Sequence, residues 1–90
     1  MDNILTLLKM DLQITVNIYD GFLSELIEQA KEAIGIIGIT LDPGSVNDNM
    51  IIRQYAAYLY RSRRGEDKAA PRSLQLLINN RLMKETGGNG

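Results

Sequence analysis

The chain has 90 residues, of which 44% are hydrophobic, and it contains neither cysteine nor histidine. This length predicts one small domain. The two absences exclude disulfide bonds, zinc sites of the Cys/His kind and catalysis by a thiolate or an imidazole. The net charge is −1, but residues 1–50 carry eight acids against two lysines, whereas residues 51–90 carry eight basic residues against three acids. Such a division is typical of a polyanion-binding face or of head-to-tail pairing between identical subunits.

Neither a signal peptide nor a membrane span is expected. The first residues include Asp2 and no basic stretch, unlike a secretory signal. The longest apolar run, from Ile34 to Leu41, is far shorter than the ~20 residues that cross a bilayer. We therefore expect a soluble intracellular protein.

Two helices are predicted in the first half of the chain. Apolar residues at helical spacing between Ile4 and Leu12 predict a short first helix over about residues 4–12. A second, longer helix is predicted to begin near residue 18 with Asn17 as its cap and to end at Gly38 in the left-handed conformation. Its acidic residues, which face away from the apolar stripe, are Glu25, Glu28 and Glu32.

Two more helices are predicted in the second half. The third is expected to start with Asn47 or Asp48 as cap, to run to about Arg64 and to stop at Gly65. Pro71 suits the first turn of a fourth helix that extends to about Lys84. The expected fold is all-α: a small helical bundle of three main helices plus a short N-terminal helix, forming one domain over residues 1–84 with a flexible tail at 85–90.

The sequence offers no arrangement suited to catalysis. The glutamates of the second helix have the spacing of a solvated stripe, and nothing in the pattern would shift their pKa values. The serines have no histidine to activate them, and "DPGSVND" lacks the lysine of a phosphate-binding loop. We expect no enzymatic activity, no cofactor and no metal.

Basic residues gather near the end of the third helix and the start of the fourth. A helix-turn-helix DNA-binding protein is one interpretation, because the fourth helix carries polar residues of the kind that read bases: Arg72, Ser73, Gln75, Asn79 and Asn80. Glu66 and Asp67 lie among these basic residues in the sequence, and their negative charges weaken the DNA-binding interpretation. Besides DNA binding and head-to-tail pairing between subunits, a third possibility is that these charges merely solvate exposed helix faces.

Tyr60 is a candidate interface residue. On a helix it shares the side opposite the apolar face with Arg53, Ala57 and Arg64. A tyrosine beside arginines on an outward face is typical of an interface anchor. The alternative is a tyrosine that lies over the neighbouring helix with its hydroxyl in water.

Four segments in order resemble the small head–tail connector proteins of long-tailed bacteriophages and prophages, also called head-completion or adaptor proteins. The segments are "LLKMDLQI", "YDGFLSELIEQAKEAI", "MIIRQYAAYLYRSRRG" and "APRSLQLLINNRL". The resemblance extends over about residues 5–83. The residues that match the family's pattern are Leu8, Lys9, Leu12 and Ile14, then Asp20, Leu23, Leu26, Ile27, Ala30 and Ile34, then Tyr60, Ser62 and Arg63, and finally Pro71, Leu74, Leu77 and Arg81. The loop at 38–47 departs from the pattern.

The resemblance implies a structural function without chemistry. Such proteins form a ring, commonly of about twelve subunits, under the portal at the capsid vertex. The ring extends the DNA channel and docks a stopper or tail-completion protein, while DNA passes through without specific binding. The implied location is the head–tail interface of the virion, after assembly in the host cytoplasm. The residues expected at subunit or portal contacts are Arg53, Tyr60, Arg61, Arg63, Arg64, Arg72, Glu25, Glu28 and Glu32.

Overall fold

The computed structural model describes residues 3–65 and 69–87, which form four α-helices and, within those ranges, no strand. The helices are α1 (Asn3–Leu12), α2 (Asp20–Ile37), α3 (Val46–Arg63) and α4 (Arg72–Gly87). The prediction of an all-α bundle with three main helices and a short leading one is confirmed. None of the helices in the described ranges is long and apolar enough to cross a bilayer.

α3 is the central helix of the bundle. From Asp48 to Ser62 none of its residues is exposed, because α1, α2 and α4 all pack against it. The sequence predicts only one apolar face for this helix, yet Ala57, on the opposite side, is also buried. The fully or nearly buried core comprises Leu8, Leu23, Leu26, Ile27, Ala30, Ile34, Ile39, Ile51, Ile52, Ala56, Ala57 and Leu74.

The start of α2 differs from the prediction. The helix begins at Asp20, and Tyr19 occupies the cap position without a side-chain capping hydrogen bond. Asn17 does not cap the helix, because its Oδ1 accepts a hydrogen bond from Lys9 Nζ at 2.7 Å. Asp20 Oδ1 lies 2.8 Å from the same ammonium group. A lysine of α1 therefore holds both Asn17 and Asp20.

The predicted glycine stops are confirmed. Gly38 has a φ of 120° and its N–H donates to the carbonyl of Gly35 at 3.1 Å. Gly65, after α3, has a φ of 80°. Both values lie in the region that L side chains rarely adopt, so glycine is required at these two helix ends.

α3 and α4 each have one boundary that differs from the prediction. Ser45 caps α3 by accepting the N–H of Asp48 at 3.1 Å, so neither Asn47 nor Asp48 is the cap. α4 continues past Lys84 to Gly87, which places the first three residues of the predicted tail in a helix. Residues 88–90 lie outside the described part of the chain.

Candidate functional site

An aromatic–arginine cluster joins the C-terminal end of α3 to α2. The rings of Phe22 and Tyr60 have centroids 6.4 Å apart and are tilted by 53°. The guanidinium carbon of Arg63 lies 5.7 Å from the centroid of the Phe22 ring, and that of Arg64 lies 5.6 Å from the centroid of the Tyr60 ring. These are cation–π distances. Arg63 also donates to Gln29 Oε1 of α2 at 3.0 Å, so both helices hold it.

Tyr60 lies against Phe22 of the neighbouring helix α2. Its hydroxyl accepts a hydrogen bond from Arg64 Nη1 at 3.1 Å. The outward face predicted for Tyr60 and Ala57 is wrong for Ala57, which is only 5% exposed, because α1 and α4 cover this side of α3. Arg63, Arg64 and Phe22 are the exposed residues of the cluster, whereas Tyr60 is half-buried.

Two further arginines of α3 lie in a cleft of about 420 Å³ between the end of α1 and the start of α4. Arg53 Nε is 2.8 Å from Asp11 Oδ2 of α1. Arg61 is half-buried and has no side-chain hydrogen bond or ion pair with any described residue. Ser73, at the start of α4, also lines the cleft. Arg72 is exposed beside it on the first turn of α4.

The three glutamates of α2 are exposed, as their spacing predicts. Glu28 Oε2 pairs with Lys31 Nζ one turn away at 3.3 Å. Within the described ranges, Glu25 and Glu32 have no such partner. Their face of α2 points away from α3, because the opposite face carries the buried leucines and isoleucines.

The division of charge between the halves of the chain is partly satisfied inside one molecule. Asp11 pairs with Arg53, and Asp48 pairs with Arg81, so each ion pair joins an acid of the first half to an arginine of the second half. The charges that remain exposed are therefore fewer than the sequence suggests. Among the described residues they consist mainly of the glutamates of α2 and the arginines at the α3–α4 end.

The sequence interpretation missed the most extensive polar cluster, which is centred on Arg81 of α4. Arg81 Nε donates to Asp48 Oδ1 at 2.7 Å, its Nη1 donates to Glu85 Oε1 at 2.8 Å, and its Nη2 donates to the carbonyl of Thr40 at 2.7 Å. Asp48 is 2% exposed and also accepts the N–H of Asp42 at 2.9 Å. The available signal was that Asp48 and Arg81 both fall within the apolar stripes of their helices.

The three side chains of this cluster stabilise one another's charged forms. Burial alone would raise the pKa of the Asp48 carboxyl, but hydrogen bonds from Arg81 and from the Asp42 amide outweigh it and lower that pKa. The hydrogen bond to Asp48 raises the pKa of Arg81. The Thr40 amide and then Arg81 lower the pKa of Glu85. The cluster connects α4 to the loop between α2 and α3.

A second concavity, an open groove of about 810 Å³, lies between α1, α2 and the loop that follows α2. Its lining is mostly apolar, and its two charged residues, Glu28 and Lys31, pair with each other. In the described part of the chain no three acidic side chains are grouped closely enough to hold a metal ion. The candidate functional features of the described residues are therefore their charged surfaces and the contacts between helices.

Comparison with models of protein families, with curated proteins and with solved structures finds no match to this chain.

Proposed function

We propose that this protein is a head–tail connector of a long-tailed bacteriophage or prophage, a structural virion protein that assembles into a ring and performs no catalytic step. Two features support the proposal: the four sequence segments that resemble this family, and an all-α bundle in which they form α1 to α4 in order. The observation that carries it is that the exposed glutamates lie on α2 and the exposed arginines lie at the end of α3 and the start of α4.

The two surfaces have no residue in common. One is the outer face of α2, with Glu25, Glu28 and Glu32 exposed. The other lies at the end of α3 and the start of α4, where Arg63, Arg64 and Arg72 are exposed, next to half-buried Arg61. A ring requires such a heterologous pair, because each subunit presents one patch to one neighbour and a different patch to the other.

The proposed partners follow from this assembly. A ring of about twelve copies, held by heterologous contacts, lies beneath the portal protein after DNA packaging and docks a stopper or tail-completion protein. Packaged DNA passes through its channel without specific binding. The net charge of −1 suits a channel through which a polyanion must slide. The ring acts at the head–tail interface of the virion and assembles in the cytoplasm of the bacterial host.

The alternative is a small DNA-binding protein of the helix-turn-helix kind. In its favour, the polar residues of α4 that resemble a reading face are exposed, among them Arg72, Gln75 and Asn79. Against it, each connection between successive helices is seven or eight residues long, whereas the turn of that motif has about 3–4 residues. α4 also runs back along α3, with Leu74 near Arg61 and Arg81 at Asp48.

Native mass spectrometry of the purified chain across a concentration series tests the proposal. We expect a discrete closed oligomer of about a dozen copies, as heterologous contacts that close produce. A stable dimer that binds duplex DNA with a steep salt dependence would instead support the alternative. A chain that stays monomeric at the highest concentration would mean that copies do not assemble in isolation and that the ring needs the portal protein as its template.

A further inference from the structure

The cleft between α1 and α4 holds an excess of positive charge. Arg53 and Arg61 are its cationic lining residues and Asp11 is its acidic one. Because Asp11 pairs with Arg53 at 2.8 Å, Arg61 is the arginine of the cleft that has no acidic partner among the described residues. A half-buried guanidinium without a partner is a favourable site for a carboxylate, since the charged pair gains strength where water is partly excluded.

The outer face of α2 carries carboxylates at a matching spacing. Arg53 and Arg61 are eight residues apart on α3, which corresponds to about 12 Å along a helix, and Glu25 and Glu32 are seven residues apart, which corresponds to about 10 Å. Ile36, one turn beyond Glu32, is 81% exposed. An isoleucine so exposed, beside acids that have no partner in the described part of the chain, is typical of a surface that another chain covers.

We propose that this cleft receives the α2 glutamates of a second copy of the chain. Arg61 binds one of Glu25 and Glu32, and the other approaches Arg53, which it shares with Asp11. This inference rests on the proposed ring function and specifies which two surfaces meet. The cleft and the glutamate face have no residue in common, so the contact is heterologous, and each pair of copies keeps one free cleft and one free glutamate face for further copies.

Exchanging the charges of the cleft and of the glutamate face by substitution tests the contact. Sedimentation equilibrium measures self-association. We expect Arg61→Glu to weaken association at least about tenfold, because it sets like charges against each other across the interface. Adding Glu25→Arg or Glu32→Arg to that variant restores association to within about threefold of wild type in one of the two combinations. The combination that restores it gives the direction in which α2 lies along the cleft.

The control is Lys84→Glu, which makes the same change in net charge at an exposed position of α4 outside both surfaces, and it should associate as wild type does. Circular dichroism establishes that each variant remains helical.

If Arg61→Glu forms the same ring as wild type, or if neither combination restores association, the proposed contact is wrong while the connector function stands. If wild type forms a two-fold dimer that the exchange abolishes and restores, the pairing of Arg61 with the glutamates stands, but it occurs twice in one isologous interface, and neither the heterologous contact nor the ring stands. A monomeric wild type whose DNA binding depends on Arg61 would assign the cleft to phosphates and overturn the inference.

Discussion

Arg81 brings together the polar groups that hold α4 against the rest of the bundle. It donates hydrogen bonds to Asp48, Glu85 and the carbonyl of Thr40. We expect Arg81→Met to lower the free energy of unfolding by about 3 kcal/mol, because it leaves the carboxylate of Asp48 buried without its counter-ion. Urea unfolding followed by circular dichroism measures the change.

Arg72→Met is the matched control for that substitution. Arg72 lies on the same helix and is exposed, so its replacement should change the unfolding free energy by less than about 0.5 kcal/mol. Equal effects of the two substitutions would show that the Arg81 cluster contributes nothing beyond an ordinary surface charge.

The same cluster predicts how stability depends on pH. The pKa values of Asp48 and Glu85 lie below their ordinary values of 3.8 and 4.5. A carboxyl group with a lowered folded-state pKa contributes stability above its unfolded-state pKa and loses that contribution as the pH falls through the folded-state value. We therefore expect stability to fall as the pH drops below about 4.5, an onset set by the unfolded-state pKa of Glu85. Between pH 5 and 8 it should change little, since the chain has no histidine.

Urea midpoints measured from pH 8 to pH 3 test this dependence. In the double variant Asp48→Asn, Arg81→Met the loss of stability on acidification should be smaller than in wild type. An identical acid dependence in the two proteins would mean that other carboxyl groups cause it.

At the scale of the helices, α2 offers a matched pair of glycines. Gly38 has a φ of 120°, and a Cβ there would lie 3.6 Å from Leu82 Cδ1, so space is adequate but the backbone conformation is not. We expect Gly38→Ala to destabilise the protein by about 1–2 kcal/mol. Gly35 is helical, with nothing within 4 Å of an added Cβ, and Gly35→Ala should stabilise it by up to about 1 kcal/mol. Thermal unfolding measures both, and equal effects would contradict the assignment of Gly38 as the left-handed end of α2.

α3 and α4 are expected to differ in local stability. α3 is enclosed by its three neighbours, whereas Leu74 is the one described residue of α4 that is fully buried. Because local opening requires loss of few contacts where little is buried, the amides of α4 should exchange at least about tenfold faster than those of α3. Hydrogen exchange followed by mass spectrometry measures this, and equal protection of the two helices would contradict it.

Sequence patterns predict the helices of this chain better than they predict its polar contacts. The apolar spacing of α2 identifies its core face because burial of that face depends on residues close in sequence. The cap of α3 is different: "SVND" contains several candidate caps, and Ser45 takes the position while Asp48 turns inward to Arg81. Arg81 lies 33 residues away, so no local pattern identifies it as the partner. The enclosure of Ala57 likewise depends on where α1 and α4 pack.

At the scale of the whole molecule, the sequence indicates the charge asymmetry but not how it is distributed in space. Ion pairs from Asp11 and Asp48 to arginines of the second half reduce it within the monomer. Among the described residues, the exposed charges that remain form an acidic outer face on α2 and an arginine-rich end at α3 and α4. Two such surfaces on one small bundle favour association between copies, and the aromatic–arginine cluster lies at the basic end.

That cluster provides the prediction for assembly. We expect Arg64→Glu and Tyr60→Ala to block ring formation while each monomer remains helical. Arg64→Glu replaces a positive charge at the arginine-rich end with a negative one. Tyr60→Ala removes the aromatic side chain on which the Arg64 guanidinium lies. Tyr60→Phe is the control for Tyr60→Ala, since it keeps the ring on Phe22 and loses only the hydroxyl that accepts from Arg64. It should therefore assemble as wild type does. Native mass spectrometry reports the oligomer and circular dichroism reports the helices. Rings formed by both Arg64→Glu and Tyr60→Ala would exclude Tyr60 and Arg64 as interface residues between copies.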